Sequence, residues 1–492
     1  MTTLTTSALA NLEPREVFDF FETLASIPRG SENEKQVAEW VVSFMRERGL
    51  EASMDERNCV LVKKPGTLGL ESAPALVLHG HLDMVCEKKE GVVHDFLTDG
   101  IKLLVEGDFI TADGTSLGAD NGIGVSYILA LLNSTDIAHP PLEAVLTAME
   151  ELGKGGAAQF DASQLTGRRM IDFNWITDTE ILAGCSGDVT FTVDVPAQWE
   201  PVPASHSESR SIKIRGLVGG HCEFDIQLER ANAILLLARA LNSILEKYDV
   251  RMSEPHGGAQ NNAIASHAEV VLSIKPQDVG AIAALLESLE TELRYEFRLA
   301  DAALRIEFDG ASAPTTAFSA EATARFSRLT SLIPNGVISW NLEVPGIVES
   351  SNNLGTIRTT PEGVQLMSTI TAALTSRKHE IFSRVRALAA LAGGDVVVTQ
   401  FGLDAPEFPY RAQSALLAVA SQTYLDVMGT PAEVHVSQCS LELGMFSQRV
   451  PGLDIISIGT ELHDLHSYNE SVSHVSVAKV WPLIRELVGR LG

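Results

Sequence analysis

Four short motifs place ionisable side chains directly after predicted strands, and the densest of them is an apolar strand ending in His81-Leu-Asp83. Residues i and i+2 of a strand share a face, so the Asp83 carboxylate is predicted to hydrogen-bond the far ring nitrogen of His81. Metal-bound histidines usually have such a carboxylate partner. The same pair is common on protein surfaces, so its interpretation depends on the other three motifs.

The second motif is a glycine-rich segment around Asp120, which includes Gly118, Gly122 and Gly124 at a predicted helix start. Glycine allows close approach of the backbone, which favours a functional carboxylate at this point. The alternative is that Asp120 only caps the helix. A phosphate-binding loop is disfavoured because the strand–GxxxxGK[ST]–helix pattern is missing from the sequence.

The third motif, Glu150-Glu151, ends another apolar strand, and the fourth is a loop with His463 and His466 after the predicted strand Asp454–Ile458. Two adjacent carboxylates are costly unless a cation or a proton lies beside them. Neighbouring residues of an extended chain point in different directions. One glutamate can therefore bind a metal while the other reaches a bound water, although both motifs also occur as ordinary solvated segments.

Together the four motifs predict a metal site. In an α/β sheet, functional residues gather beyond the carboxyl ends of the strands, and each motif follows such a strand. Mixed histidine and carboxylate ligands suit zinc, manganese or cobalt. An aspartate between two ions, with a free glutamate nearby, is typical of a two-metal hydrolase that activates water.

The composition excludes several kinds of partner. The 492 residues include 37 Lys and Arg against 64 Asp and Glu, a formal net charge of −27. This acidity repels polyanions, so no nucleic-acid partner and no membrane partner are expected. No apolar run approaches the ~20 residues that span a bilayer. The five scattered cysteines form no Cys-x-x-Cys pair, which favours a reducing, cytoplasmic location.

Alternating elements predict the fold class. Ser31-x-x-Glu34 has the pattern of a capping box, and the apolar residues after it recur at helical spacing. A helix is predicted near residues 121–132, between short buried strands. The strands are Cys59–Val62, Ala75–Leu78 and Ala144–Thr147. This order predicts an α/β sandwich.

A change of pattern predicts an inserted domain. Prolines and serines near residues 195–210 indicate a loop or a crossing segment, and a strand-and-helix composition without the acidic motifs follows it. The alternation of predicted helices and strands returns after about residue 400. The predicted layout is a catalytic α/β sandwich from residues 1–195 and 401–492, with a mostly α+β domain, residues 196–400, inserted.

On these residues the chain resembles the cytosolic aminoacyl-histidine dipeptidases, within the carnosinase, carboxypeptidase and aminoacylase family of di-zinc peptidases. The resemblance runs from about residue 15 to the C-terminus. Six motifs carry it: His-Leu-Asp-Met-Val (81–85), Thr-Ser-Leu-Gly-Ala-Asp-Asn-Gly-Ile-Gly (115–124), Glu-Glu (150–151), Gly-Gly-His (219–221), Pro-Asn-Gly-Val (334–337) and His-Ser-x-Asn-Glu (466–470).

The resemblance implies a small peptide substrate, a homodimer and two Zn²⁺ ions per chain, with Mn²⁺ or Co²⁺ as alternatives. It implies that Asp120 bridges the two ions, Glu150 is the general base and Asp83 orients His81. The inserted domain would be a lid and dimerisation module in which His221 steadies the oxyanion and Asn262 helps to hold the substrate. The metal ligands it implies are His81, Asp120, Glu151, Asn174 and His466.

One departure concerns the metal site. The family's fifth ligand is an aspartate, which falls on Asn174 here, and Asp172 two residues earlier is a possible substitute. An amide oxygen can bind a cation but lacks the charge. Departures on the substrate side fall on Glu223, Thr371 and Gln438. Two alternatives to a dipeptidase therefore stay open: a weakly active or inactive paralogue that binds metal or peptide, and an N-acyl amino acid amidohydrolase.

Overall fold

The computed structural model describes residues 8–492, which fold into two compact units. The first unit comprises residues 8–185, Glu407–Ser437 and Leu441–Gly492. The second comprises Ser186–Pro406 and Gln438–Ser440. No α-helix in the described part combines the length and the apolar character needed to cross a bilayer.

The helices of the described chain occur in both units. They are α1 Arg15–Ser26, α2 Lys35–Glu47, α3 Ala119–Asn133, α4 Gly155–Gln159, α5 Ala233–Leu245, α6 Val279–Glu296, α7 Ala320–Leu332, α8 Thr375–Ala392, α9 Ala415–Met428, α10 Leu443–Arg449 and α11 His474–Arg490. Helices α5 to α8 belong to the second unit, and the others belong to the first.

The strands are numbered in chain order. They are β1 Glu51–Met54, β2 Val60–Lys64, β3 Leu76–His81, β4 Leu103–Glu106, β5 Phe109–Ala112, β6 Leu142–Thr147, β7 Arg169–Trp175, β8 Glu180–Pro196, β9 Trp199–Pro201, β10 Glu208–Arg215, β11 Gly220–His221, β12 Arg251–Gly257, β13 Ala263–Ile264, β14 Ala268–Ile274, β15 Arg305–Gly310, β16 Thr316–Phe318, β17 Gly336–Trp340, β18 Val348–Thr359, β19 Gly363–Ala372, β20 Val397–Ala405, β21 Glu433–Ser440, β22 Asp454–Gly459, β23 Leu462–His463 and β24 Ser471–Ser473.

The main sheet of the first unit has the order β1-β2-β6-β3-β7-β22. Strands β6, β3, β7 and β22 are mutually parallel, whereas β1 and β2 are antiparallel additions. The parallel register pairs His81 of β3 with Thr147 of β6 and His79 of β3 with Asp172 of β7. The carboxyl ends of these strands therefore meet at one edge of the sheet.

Both faces of this sheet are covered, which explains its nearly continuous apolar strands. Leu76 and Leu78 of β3 belong to a buried cluster with α1, α2, α3, α9 and α11. His79 faces the other side, where its ring contacts that of Phe446 in α10 with the ring centroids 4.9 Å apart. The predicted α/β class is confirmed.

The second unit is built on an antiparallel sheet in the order β8-β19-β18-β12-β14-β10-β15. Its helices α5 to α8 contribute to a separate apolar core. Buried members of that core from the sheet and the helices include Phe191, Ile212, Leu237 and Phe326. A small two-stranded ladder of β11 and β13 carries Gly220–His221.

Most of the elements predicted from periodicity are confirmed, but two local predictions are wrong. The segment 195–210 is not simply a loop, because β8 continues to Pro196 and β9 and β10 follow it. The Ser31-x-x-Glu34 capping box does not form: α2 begins at Lys35, and its N-cap residue Glu34 makes no side-chain cap hydrogen bond. The Ser31 hydroxyl instead donates to Asp83 Oδ2 at 2.8 Å.

Candidate metal centre

Asp120 lies at the centre of the ionisable cluster at the carboxyl edge of the parallel strands. Its Oδ1 is 3.0 Å from Nε2 of His81, and its Oδ2 is 3.2 Å from Nε2 of His466. The same His466 nitrogen is 3.2 Å from Oε2 of Glu151. One carboxylate thus contacts two imidazoles through its two different oxygens, as a bridge between two cations requires.

The donor set fits divalent cations. Ligand atoms of His81, Asp120 and Glu151 lie within 4.8 Å of one another. Glu151 also has a buried Oε1 without a hydrogen-bond partner among the described residues. A buried carboxylate oxygen without a partner is costly, and a cation would satisfy it. Imidazole and carboxylate ligands together suit zinc, manganese or cobalt.

Electrostatics favours positive charge between these carboxylates. Burial would raise the pKa of Asp120, but hydrogen bonds from His466 and His81 hold it well below its usual range. Contacts with Asp120 and Glu151 raise the pKa of His466 to about 10, and despite burial the pKa of His81 is also raised. These imidazoles hold protons more tightly than usual, so a cation bound by them would compete with protons.

Asp83 binds the backbone of the two adjacent glutamates. Its Oδ1 accepts from the backbone N–H of Glu150 at 3.0 Å, and its Oδ2 accepts from that of Glu151 at 3.1 Å. The predicted partnership with His81 is looser than expected, because Asp83 lies beyond the end of β3 and its Oδ1 is 3.5 Å from Nδ1 of His81. Asp83 therefore orients the Glu150-Glu151 backbone as well as the histidine.

Glu150 has the electrostatic character of a proton acceptor. Desolvation by the surrounding protein raises the pKa of its carboxyl to about 8; the charge of His81 opposes this shift, whereas those of Glu442 and Glu151 add to it. A carboxyl group whose pKa lies near neutrality can both take up and release a proton. This separates its chemistry from that of its neighbour Glu151, which contacts His466.

Only one of the two loop histidines joins the cluster. His466 contacts Asp120 and Glu151, whereas Nε2 of His463 pairs with Glu461 at 3.0 Å and its ring contacts Phe109. Spacing alone does not define the course of a loop, so the sequence does not distinguish the two histidines. His466 has a φ of 60°, a left-handed conformation that sequence spacing does not predict.

Comparison with known proteins decides the family. The chain is 32% identical over 482 residues to the cytosol non-specific dipeptidase of Escherichia coli. The aligned region covers 98% of this chain and 99% of that protein. Residues 212–300 match the model of the M20 peptidase dimerisation domain. The chain belongs to the M20 peptidase family.

Two solved structures share this fold. The aminoacylhistidine dipeptidase of Vibrio alginolyticus superposes with a TM-score of 0.90 at 30% identity, covering 99% of this chain and 98% of that chain. Aminopeptidase PepT of Bacillus cereus shares the fold, with a TM-score of 0.56 at 14% identity and 98% and 99% coverage. The predicted resemblance to the aminoacyl-histidine dipeptidases is confirmed.

A second asparagine, Asn121, links Asn174 of this M20 protein to His81 at the end of β3. Asn121 accepts from the backbone N–H of His81 at 3.3 Å through Oδ1, and its Nδ2 donates to the carbonyl of Phe173 at 2.8 Å. The same Nδ2 donates to Oδ1 of Asn174 at 2.6 Å. Since this contact occupies one lone pair of Asn174 Oδ1, the second lone pair is left for a cation.

The carboxylate of Asp172, the alternative to Asn174, is engaged in a buried network with His79 and Ser457. Its Oδ1 is 2.7 Å from Nδ1 of His79, and its Oδ2 accepts from the Ser457 hydroxyl at 2.5 Å. Nε2 of His79 is 3.1 Å from Oε1 of Glu442, which also accepts from Thr147. Burial lowers the pKa of His79, but Glu442 and Asp172 together raise it to about 9.

The structure brings His221 and Asn262 together within the second unit of this M20 protein. The Cys222 backbone N–H donates to the Asn262 carbonyl at 2.8 Å, beside the ladder of β11 and β13. Nδ1 of His221 accepts from the backbone N–H of Glu223 at 3.2 Å, and burial lowers the pKa of the ring. A neutral His221 therefore carries its proton on Nε2, where it can donate.

Proposed function

We propose that this M20 metallopeptidase hydrolyses dipeptides, with Xaa-His dipeptides among its preferred substrates. The observation that carries the proposal is the double contact of Asp120 with His81 and His466. Two divalent cations bound there would lower the pKa of water and polarise the scissile carbonyl. Zinc is the proposed ion, since histidine and carboxylate ligands suit it, with manganese and cobalt as alternatives.

We assign the other roles in the reaction to residues of this chain. We assign His81, Asp120, Glu151, Asn174 and His466 to cation binding. Glu150 accepts a proton from the attacking water and returns it to the leaving amine. We assign His221 to donate a hydrogen bond through Nε2 to the oxygen that becomes negative, and Asn262 to hold substrate. Asp83 keeps the Glu150-Glu151 backbone in place.

The wider assignments follow from the family. The match to the peptidase dimerisation domain over residues 212–300 supports a homodimer, which light scattering of the purified protein would test. A cytoplasmic location is supported by the cytosol dipeptidase of Escherichia coli, to which the chain is similar over nearly its whole length. A small peptide is the proposed substrate.

A substrate panel tests the proposal. We expect the zinc-, manganese- or cobalt-loaded protein to cleave Xaa-His dipeptides and other dipeptides, and to leave N-acyl amino acids intact. The bound metal is counted in the same preparation. Two ions per chain without hydrolysis of any dipeptide would support the inactive paralogue, and preferential cleavage of N-acyl amino acids would support the amidohydrolase.

Substitution of Asn174 by Asp should strengthen cation binding on the His81 side. Unit charges about 4 Å apart attract by roughly 1–4 kcal/mol between bulk water and a protein surface, so at least about a fivefold gain in affinity is expected. Counting retained ions during titration with a chelator measures the gain. Asn133→Asp, at the exposed end of α3, adds the same charge as a control. Equal affinities of Asn174→Asp and the wild type would remove Asn174 from the ligand set.

A further inference from the structure

Two buried, oppositely charged side chains lie beside the segment that carries Asp120. Arg29 is 2% exposed and Glu470 is 3% exposed. Burial of a charge is costly unless hydrogen bonds satisfy it, so the positions of those bonds indicate what each side chain does. Neither residue is a metal ligand or a proton acceptor in the proposed reaction.

Glu470 holds the backbone that leads into Asp120. Its Oε2 accepts from the backbone N–H groups of Leu117 and Gly118, both at 2.8 Å. Its Oε1 accepts from the backbone N–H of Asp120 at 3.1 Å. One carboxylate thus satisfies three amides of a four-residue segment and fixes the direction in which the Asp120 side chain leaves it.

Arg29 joins that segment to the one that follows His81. Its Nη1 donates to the carbonyls of Leu82 at 2.9 Å and Asp83 at 3.1 Å, and its Nη2 donates to the carbonyl of Gly118. A Cβ on Gly118 would lie 2.6 Å from Nη2, and a Cβ on Gly122 would lie 2.7 Å from it. The glycines beside Asp120 therefore leave the space that the guanidinium fills.

We propose that Arg29 and Glu470 are positioning residues that set the separation of His81 and Asp120 for cation binding. This inference rests on the proposed metal centre. Glu470 accepts from the backbone N–H groups of residues 117, 118 and 120. Arg29 donates to the carbonyl of Gly118 and to the carbonyls of the two residues after His81. Each of these side-chain hydrogen bonds therefore ends on Asp120, on one of the three residues before it, or on one of the two residues after His81.

The test uses Arg29→Lys and Glu470→Gln in the full-length protein. A lysine keeps the charge but lacks the planar fork that reaches two segments at once. A glutamine keeps the shape but turns an amide donor toward a backbone N–H. Second-sphere changes of this kind typically lower metal affinity by about 10–100-fold. We therefore expect that loss in chelator competition, a shifted visible spectrum of the Co²⁺-loaded protein, and a fall in kcat larger than any change in KM.

Two matched controls separate positioning from general stability. Arg325→Lys alters a buried arginine of the second unit that donates to the Ala392 carbonyl. Glu143→Gln alters a buried carboxylate of the first unit that accepts from the N–H groups of Thr166 and Gly167. Both should leave the Co²⁺ spectrum and the metal affinity unchanged, even if they lower the melting temperature.

The outcomes are distinct. If Arg29→Lys and Glu470→Gln bind Co²⁺ with the wild-type spectrum and affinity, or if the controls change both as much, the positioning role is overturned while the dipeptidase proposal stands. If the wild-type protein binds no divalent cation, the metal centre fails and the positioning role fails with it. A variant that does not fold is replaced by Arg29→Gln or Glu470→Asp, judged by the same spectrum.

Discussion

Substitution of Glu150 by Gln should lower kcat by about 10²–10⁴-fold, the usual contribution of general acid–base catalysis. The amide keeps the size of the side chain but cannot accept the proton of the attacking water. Metal content should stay at the wild-type level, because His81 contacts Asp120 and Glu151 contacts His466, and neither contact involves Glu150. Steady-state kinetics with a dipeptide and metal analysis of the same sample measure both quantities.

Glu151→Gln is the informative comparison for that experiment, because the two residues are adjacent and both backbone N–H groups donate to Asp83. The Glu151 variant should lose metal as well as activity. Normal turnover of metal-replete Glu150→Gln would exclude Glu150 as the base. Loss of metal from it would make Glu150 a ligand instead.

Asp120→Asn should weaken both cation positions at once. It removes the one charge that both His81 and His466 contact, so both cation positions lose affinity together. Loss of the cations removes several kcal/mol of transition-state stabilisation, so activity should fall by roughly 10³-fold or more. Ion counts per chain and kinetics at fixed free metal concentration test this expectation.

Asp113→Asn provides the control for Asp120, since Asp113 is an exposed aspartate of the same unit that pairs with Lys102. It should keep both the metal content and kcat. If Asp120→Asn lost only one ion and the other stayed at full affinity, the two positions would be independent and the bridging role would be wrong.

The sequence predicts part of the ionisable cluster because strand ends are local features. His81 and Glu150 each follow an apolar run, and parallel pairing of β3 with β6 brings those runs side by side. Asp120 and His466 instead follow β5 and β23, which belong to a separate four-stranded sheet, so the parallel strand ends do not explain how these two residues join the cluster. The N-cap alternative for Asp120 is not what the structure shows, since its carboxylate contacts two histidines.

The parts that were missed depend on contacts between residues far apart in the chain. Ser31 and Glu34 have a capping-box spacing, yet Ser31 donates to Asp83 and Glu34 accepts from the backbone N–H of Met149 at 3.0 Å. Arg29 lies more than 50 residues from Leu82, and no periodicity relates them. Glu470 stands in the His-Ser-x-Asn-Glu motif, which was the one available signal for its role.

The pairing of His79 with both Asp172 and Glu442 has a consequence for how this protein can vary. Removing one partner of a buried charged group typically costs about 3–5 kcal/mol, because the other partners are left uncompensated. Exchange of the whole set for uncharged side chains of similar volume avoids that cost. Positions 79, 172 and 442 should therefore covary among relatives. A designer who transfers β3 with His79 to another scaffold would have to transfer Asp172 and Glu442 with it.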